Sequence, residues 1–152
     1  MRRLFVVVTV ALMLSGCATF PGRQAARIPS VGSGEAVQVN RKEASKIAGD
    51  IVKLLKKDYG PGQTVFVVSK KNGPIGEKLR GDLRSAGYGV SIAAPSAAPG
   101  TRLTYLADNY DPGRIVVGVG VGETFYAMRL YDLMPSGSVE GEGAWTVREV
   151  GP

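Results

Sequence analysis

The sequence predicts an α+β fold in which two helices pack on a mixed sheet, with a βαβ unit followed by an antiparallel meander. Two stretches in the first half of the chain have apolar residues at helical spacing, and a short β-branched run lies between them. After residue 100 the apolar period changes to two, and turn signals rich in Gly and Pro recur. These patterns divide the chain into a helix-bearing half and an all-strand half.

The chain begins with a stretch typical of an export signal. Two arginines precede an apolar run from Leu4 to Leu14, and Leu14-Ser15-Gly16-Cys17 follows directly. The run is about half of the roughly 20 residues that a helix needs to cross a bilayer, so we interpret residues 1–16 as a signal peptide. Leu-Ser-Gly-Cys resembles the lipobox of bacterial lipoproteins, which implies lipid on Cys17. An ordinary secretory signal with a chance Cys is the alternative.

Composition limits the remaining chain to one domain without the usual catalytic groups. Cleavage after residue 16 would leave 136 of 152 residues and lower the net charge from +6 to +4, because two arginines leave. No Lys/Arg block exceeds two residues, so nothing indicates nucleic-acid binding. The chain has no His, the commonest general base and metal ligand, and its single Cys has no partner for a disulfide.

Pro, Gly, Ser and Ala dominate residues 18–38 without periodicity, which predicts a flexible linker. Some 20 such residues span roughly 25 Å on average and roughly 65 Å when extended. This reach is enough to hold a domain away from a membrane or to extend toward a partner. The predicted organisation is a signal peptide over 1–16, a lipidated Cys and linker over 17–38, and one globular domain over 39–152.

The domain is predicted to begin with two helices and two strands. Asn40 and Glu43 form a capping-box pattern ahead of an amphipathic helix that reaches about Asp58. A strand over 64–68 follows, because the run is short, apolar and β-branched. Pro74 then starts a second helix, which Gly87 ends. Its buried stripe includes Leu79 and Leu83, and a strand from Tyr88 to Ala93 completes the βαβ unit.

The rest of the chain predicts a meander of four antiparallel strands. Turn signals lie at Asp111-Pro112-Gly113, near Val121-Gly122 and at Pro135-Ser136-Gly137. Between these turns, residues at every second position of each strand share one face. They are Leu103, Tyr105, Ala107, Ile115, Val117, Val119, Thr124, Tyr126, Met128, Leu130, Val139, Gly141, Gly143, Trp145 and Val147.

Gly118-Val119-Gly120-Val121-Gly122 invites comparison with nucleotide-binding loops. The spacing does not fit, because the dinucleotide fingerprint needs a third Gly three residues after the second and then a helix. Two interpretations remain: glycines that ease a hairpin turn, or a flat patch that another backbone can approach. With Tyr126 and Trp145 on neighbouring strands, Gly118, Gly120 and Gly122 form the predicted partner contact, and a core position for Trp145 is the alternative.

No group of residues predicts catalysis, a metal site or a cofactor. Asp108, Asp111 and Asp132 lie near turns, where a capping role accounts for them. Two adjacent Ser-Lys pairs, Ser45-Lys46 and Ser69-Lys70, leave a Ser-Lys mechanism open, yet neither has a supporting context. We therefore expect a protein that is not an enzyme and that binds no small-molecule substrate.

Two further motifs carry a family resemblance. Leu79-Arg80 followed by Leu83-Arg84-Ser85-Ala86-Gly87-Tyr88-Gly89-Val90, and the C-terminal Gly143-Ala144-Trp145-Thr146-Val147-Arg148-Glu149, are similar to segments of the TrbH conjugal transfer lipoproteins. The resemblance implies a periplasm-facing outer-membrane lipoprotein that helps to assemble or stabilise a conjugative type IV secretion apparatus. Its partners would be other proteins of the core complex. Ala18 after Cys17 agrees with outer-membrane sorting.

Two other functions fit the same tether and domain. One is a lipoprotein that regulates a cell-wall synthase, and the other is a sugar-binding or hydrolytic module of the envelope. Genes for conjugation on both sides of this gene would favour the transfer role over both.

Overall fold

The computed structural model describes residues 33–70, 73–92 and 99–149 and confirms the predicted α+β architecture. Two helices lie against a seven-stranded mixed sheet. In chain order the elements are β1 (Gly34–Glu35), α1 (Arg41–Leu55), β2 (Val65–Val68), α2 (Pro74–Ser85), β3 (Gly89–Ile92), β4 (Thr101–Asp111), β5 (Arg114–Val121), β6 (Phe125–Leu133) and β7 (Val139–Glu149).

The sheet joins the two predicted substructures edge to edge. Its strand order is β3-β2-β4-β5-β6-β7, and the short β1 pairs with β4. β2 and β3 are parallel and connected by α2, as a βαβ unit requires, while β4 to β7 form the antiparallel meander. β2 is also parallel to β4, and this pairing makes the sheet mixed.

The first helix begins with the predicted capping box. The side-chain oxygen of Asn40 accepts hydrogen bonds from the backbone N–H groups of Lys42 and Glu43, at 2.8 and 3.1 Å. The Glu43 carboxylate in turn accepts from the Asn40 N–H at 2.7 Å. These bonds satisfy N–H groups that a helix start otherwise leaves without partners.

The second helix is capped from a distant part of the chain. Gly73 has no side chain to offer, and the Glu35 carboxylate takes its place. Its Oε1 atom accepts from the N–H groups of Ile75 and Gly76, at 2.9 and 3.2 Å, and from the Tyr105 hydroxyl at 2.7 Å. A Cβ atom on Gly73 would lie 2.5 Å from the Glu35 carboxylate, so glycine leaves the room that this long-range cap needs.

Residues 34–38, which composition alone assigns to the linker, pack on the fold. The Ala36 N–H donates to the Ala107 carbonyl at 2.9 Å, and Val37 and Val39 are buried. A two-residue strand has no periodicity that a sequence pattern can reveal. The folded part therefore begins N-terminal to the predicted boundary at residue 39.

The core lies between the helices and one side of the sheet. Leu79 and Leu83 are buried there, as predicted, with alternate residues of β4 and β5. On β6 the pattern differs from the sequence-based alternation, because the core-facing residues are Phe125, Ala127 and Tyr131. Both sets of alternate positions in β6 contain apolar residues, so alternation alone could not identify which set faces the core.

One buried carboxylate links the first helix to β6. Asp50 is 5% exposed, and its carboxylate contacts Lys46 at 2.5 Å and Arg129 and the Tyr131 hydroxyl at 3.4 Å each. Burial raises the pKa of Tyr131, and the negative charge of Asp50 raises it further. A side chain on Gly141 would collide with the Arg129 guanidinium, so the glycine leaves space for this ion pair.

Candidate interaction face

The β4–β7 sheet has a second side that no described element covers. We call this side, which faces away from the helices, the open face. Its residues follow from the strand register and are Thr104, Leu106, Asp108, Arg114, Val116, Gly118, Gly120, Tyr126, Met128, Leu130, Asp132, Glu140, Glu142, Thr146 and Arg148.

The structure brings three of the predicted contact residues together and separates two. Gly118, Gly120 and Tyr126 lie side by side on the open face. Gly122 is in the turn after β5, with a positive φ of 59° that favours glycine. Trp145 lies on the helix side of β7, half-buried, with its ring edge-on to Tyr131 at a centroid distance of 6.4 Å.

A bulge in β7 precedes Trp145. Met128 pairs with Thr146 while Leu130 pairs with Glu142, so three residues of β7 oppose Arg129 alone. Gly143, at a φ of +61°, provides the irregular backbone conformation. The bulge adds two residues and therefore preserves the alternation, which keeps Trp145 on the core side.

Neighbouring side chains fill the space above the two glycines of the open face. A Cβ atom on Gly118 would lie 2.7 Å from the Tyr126 hydroxyl, so the tyrosine ring extends across this position. A Cβ atom on Gly120 would lie equally close to the Thr104 hydroxyl. Burial raises the pKa of Tyr126. Gly118 thus leaves room for the Tyr126 side chain and Gly120 for that of Thr104, so less backbone is bare than in a flat glycine patch.

Beside this tyrosine the open face has an apolar centre. Leu106 and Met128 flank Gly118 in one row and are 38% and 41% exposed. Val116 and Leu130 lie side by side in the next row and are half-buried. Leu106, Val116, Met128 and Leu130 were not predicted as contacts. The available signal was that β5 and β6 have apolar residues at both odd and even positions. A strand with one face in water usually alternates apolar and polar residues.

One end of the open face is acidic. Asp132 and Glu140 lie beyond the apolar centre, and Asp108 and Glu142 flank Val116 and Leu130 in its second row. Arg114 bonds to Asp111 there and approaches Glu142 at 3.4 Å. The hydrogen bonds from Arg114 lower the pKa of Asp111. Residues 101–149 contain seven acidic and four basic side chains, whereas residues 41–85 contain five and eleven, so the two halves differ in sign.

The residues considered for chemistry are dispersed. Ser45 lines a groove of about 700 Å³ between the helices, and the neighbouring Lys46 is bound to Asp50. Ser69 directly follows β2. Asp108 and Asp132 belong to the open face, and Asp111 pairs with Arg114. Among the described residues, no three His, Cys, Asp or Glu side chains are grouped to hold a metal ion.

A second cleft, of about 590 Å³, lies beside β2 and β3, and none of its lining side chains is charged. They are Tyr59, Gln63, Thr64, Val65, Ser91, Pro99, Gly100 and Thr101. Hydroxyl groups without a neighbouring base lack the usual means of activation for nucleophilic attack.

Cys17, the predicted signal peptide and the predicted linker up to residue 32 lie outside the described residues. None of the helices in the described part has the length and apolar character needed to span a bilayer.

Comparison with known proteins gave one match. The model of the family described as "Conjugal transfer protein TrbH" matches residues 26–149, which is most of the chain and includes every element described above. No curated protein and no solved structure matched.

Proposed function

The chain belongs to the TrbH family of conjugal transfer proteins, and from this premise we propose an outer-membrane lipoprotein that helps to assemble or stabilise a conjugative type IV secretion apparatus. The family establishes a function related to conjugal transfer. The proposal adds an anchor, a compartment and a mode of action. The domain faces the periplasm and acts through contacts with other transfer proteins, without catalysis.

The observation that carries the mode of action is the exposed apolar centre of the open face. Soluble domains rarely leave contiguous apolar patches in water, and such patches commonly mark protein interaction sites. Leu106 and Met128 contribute the most exposed part, and the acidic end beside them gives the surface a charge pattern. A contact surface of this kind is what an assembly factor needs.

Lipid on Cys17 is the proposed anchor, with residues 1–16 as its signal peptide and the following segment as a tether. A triacylated cysteine exceeds the two signals that stable attachment needs, at about 0.8 kcal/mol per buried CH₂. Metabolic palmitate labelling should mark the native protein, globomycin should accumulate its precursor, and Cys17→Ser should abolish both effects. A native protein that takes up no palmitate would remove the anchor from the proposal.

Plasmid transfer from donor to recipient cells tests the assembly role. Deletion of the gene should reduce transfer frequency, and Met128→Glu should reduce it while the protein stays folded, because a charge enters the apolar centre. Ile92→Glu is the matched control. Ile92 is 46% exposed on β3, outside the open face, so its replacement should leave transfer nearly unchanged. Equal effects of the two variants would argue against the open face.

A separate series tests the absence of catalysis. An assembly role makes no single polar group indispensable, so each alanine variant of Ser45, Ser69, Asp108, Asp111 and Asp132 should retain nearly full transfer. Thermal unfolding of each variant controls for folding. A well-folded Ser45, Ser69 or Asp111 variant without transfer would reopen the hydrolytic alternative, whereas loss in the Asp108 or Asp132 variant would assign the acidic end of the open face to the contact.

A further inference from the structure

We propose that the open face binds the open face of a second copy of this chain, forming a two-fold symmetric dimer. The inference rests on the proposed role of the open face as a contact surface and names its occupant. It depends neither on the lipid anchor nor on the transfer role.

The apolar centre has the shape that a second sheet fits. Val116, Leu130 and Met128 stand in two adjacent rows between polar ends. Two sheets that pack face to face keep their strands within about 30° of each other and interdigitate such side chains. A second copy supplies a sheet of matching width and matching apolar rows.

The charges of the open face change sign along the strand direction. Arg148 lies opposite Tyr126, in the row on one side of the apolar centre. Glu140 lies opposite Asp132, in the row on the other side. The rows of Met128 and Leu130 separate them. Arg148 and Glu140 are both exposed, so both side chains are available to a facing molecule.

One orientation of the two-fold axis makes this pattern self-complementary. An axis that lies in the interface and perpendicular to the strands, between the Met128 and Leu130 rows, reverses the second copy along its strands. Each strand then faces its own equivalent, with Arg148 over Glu140, Met128 over Leu130 and Leu106 over Asp108 of the other copy. An axis parallel to the strands would instead place acidic end on acidic end. Symmetric dimers use one patch twice, so each favourable pair occurs twice.

The size of the face limits the strength of the dimer. Four strands at about 4.8 Å spacing and seven residues at about 3.4 Å rise cover about 19 by 24 Å. Two copies together therefore bury on the order of 1,000 Å², the lower limit for a specific interface. A contact of this size is weak, and covalent capture is the suitable measurement.

The first experiment captures the contact in cells that produce the full chain. Two differently tagged copies are co-expressed, and the photo-crosslinking residue p-benzoylphenylalanine replaces Met128 in one of them. Irradiation should join it to the other tagged copy. The control carries the crosslinker at Lys53, whose side chain is exposed on the helical side, and should give no dimer.

The second experiment exchanges the charges. Arg148→Glu and Glu140→Arg should each lower the crosslinking yield from position 128 at least about fivefold, because like charges then face each other across the interface. The double variant Arg148→Glu with Glu140→Arg should restore the yield to within about twofold of the original. Co-expression of the two single variants should restore it as well, since both pairs in the mixed dimer are again opposite in charge.

The outcomes separate this inference from the proposed function. Crosslinking from Met128 with rescue in both charge exchanges supports the two-fold dimer. Crosslinking only to a different protein overturns it but leaves the open face as a contact surface for transfer. A dimer captured from Lys53 indicates that the basic helices of one copy meet the acidic end of another, and overturns it. Unchanged yields in the single variants also overturn it, because the Arg148–Glu140 pairing would then be absent.

Discussion

The β4–β7 sheet has apolar residues on both sides, yet the described part of the chain covers only one of them. On the helix side, Ile115, Val117 and Val119 are completely buried. On the open face, Leu106 and Met128 keep about two fifths of their surface in water. Folding accounts for the apolar residues of the helix side, and the proposed contact with a partner accounts for those of the open face.

Burial of charge follows the same division. The helix side holds Asp50 among Arg129, Tyr131 and Lys46, where the carboxylate positions the first helix over β6. The acidic residues of the open face stay near solvent, and Glu140 and Glu142 are exposed. Charges on the helix side are therefore part of the fold, whereas Glu140 is exposed on the open face, where Arg114 already approaches Glu142.

The sharpest test of this comparison removes the same atoms from both sides. Leu83→Ala should lower the free energy of unfolding by about 2–5 kcal/mol, because it leaves a cavity in a core position that is fully buried. Leu106→Ala should cost less than about 1 kcal/mol, since its side chain already contacts water. Urea unfolding of residues 33–152, a fragment that keeps β1, measures both. Similar losses would mean that the open face contributes to the core.

A second matched pair concerns the carboxylates. Asp50→Ala should cost about 1–3 kcal/mol, because Arg129 would then keep a partly buried charge without its carboxylate partner. Asp132→Ala should change the free energy of unfolding by less than about 0.5 kcal/mol. The same urea measurement applies, and a larger loss for Asp132 would contradict the assignment of structural charge to the helix side.

The smallest effects are expected for lysines of the first helix. Lys53→Ala and Lys56→Ala should each stay within about ±0.5 kcal/mol, although Lys53 approaches Asp50 at 3.8 Å, because exposed ion pairs contribute little. The change in urea midpoint is the measurement. A loss comparable to that of Asp50→Ala would show that the Lys53 contact is part of the buried network.

Local patterns predicted the parts of the fold whose causes are local. The Asn40 capping box, the Pro74 helix start and the positive φ of 88° at Gly87 depend on residues close in sequence, and all three are confirmed. The cap on the second helix was not predictable, because Glu35 lies some 40 residues before the N–H groups that it binds. No periodicity connects such residues until the sheet brings them together.

The candidate site was predictable only in part, for a different physical reason. Strand alternation places Gly118, Gly120 and Tyr126 on one side, but it does not say which side the helices cover. Trp145 has the same period and ends on the covered side. The separation of positive and negative charge on the open face depends on the strand register, which the sequence pattern does not give. The register pairs Arg148 with Tyr126 and Glu140 with Asp132.

The Glu35 cap also determines how the domain would respond to mechanical force. A pull on the chain ahead of residue 33 reaches the fold first at the Ser33 hydroxyl, which accepts from the Tyr105 N–H at 3.2 Å, and at the two-residue β1. These contacts, with the Glu35 carboxylate, are few compared with the long ladders of the meander. Releasing residues 34–39 would also break the Ala36 hydrogen bond and expose Val37 and Val39, and the six released residues span at most about 20 Å. In the proposed tethered protein, this release would lengthen the tether under load while the open face keeps its shape.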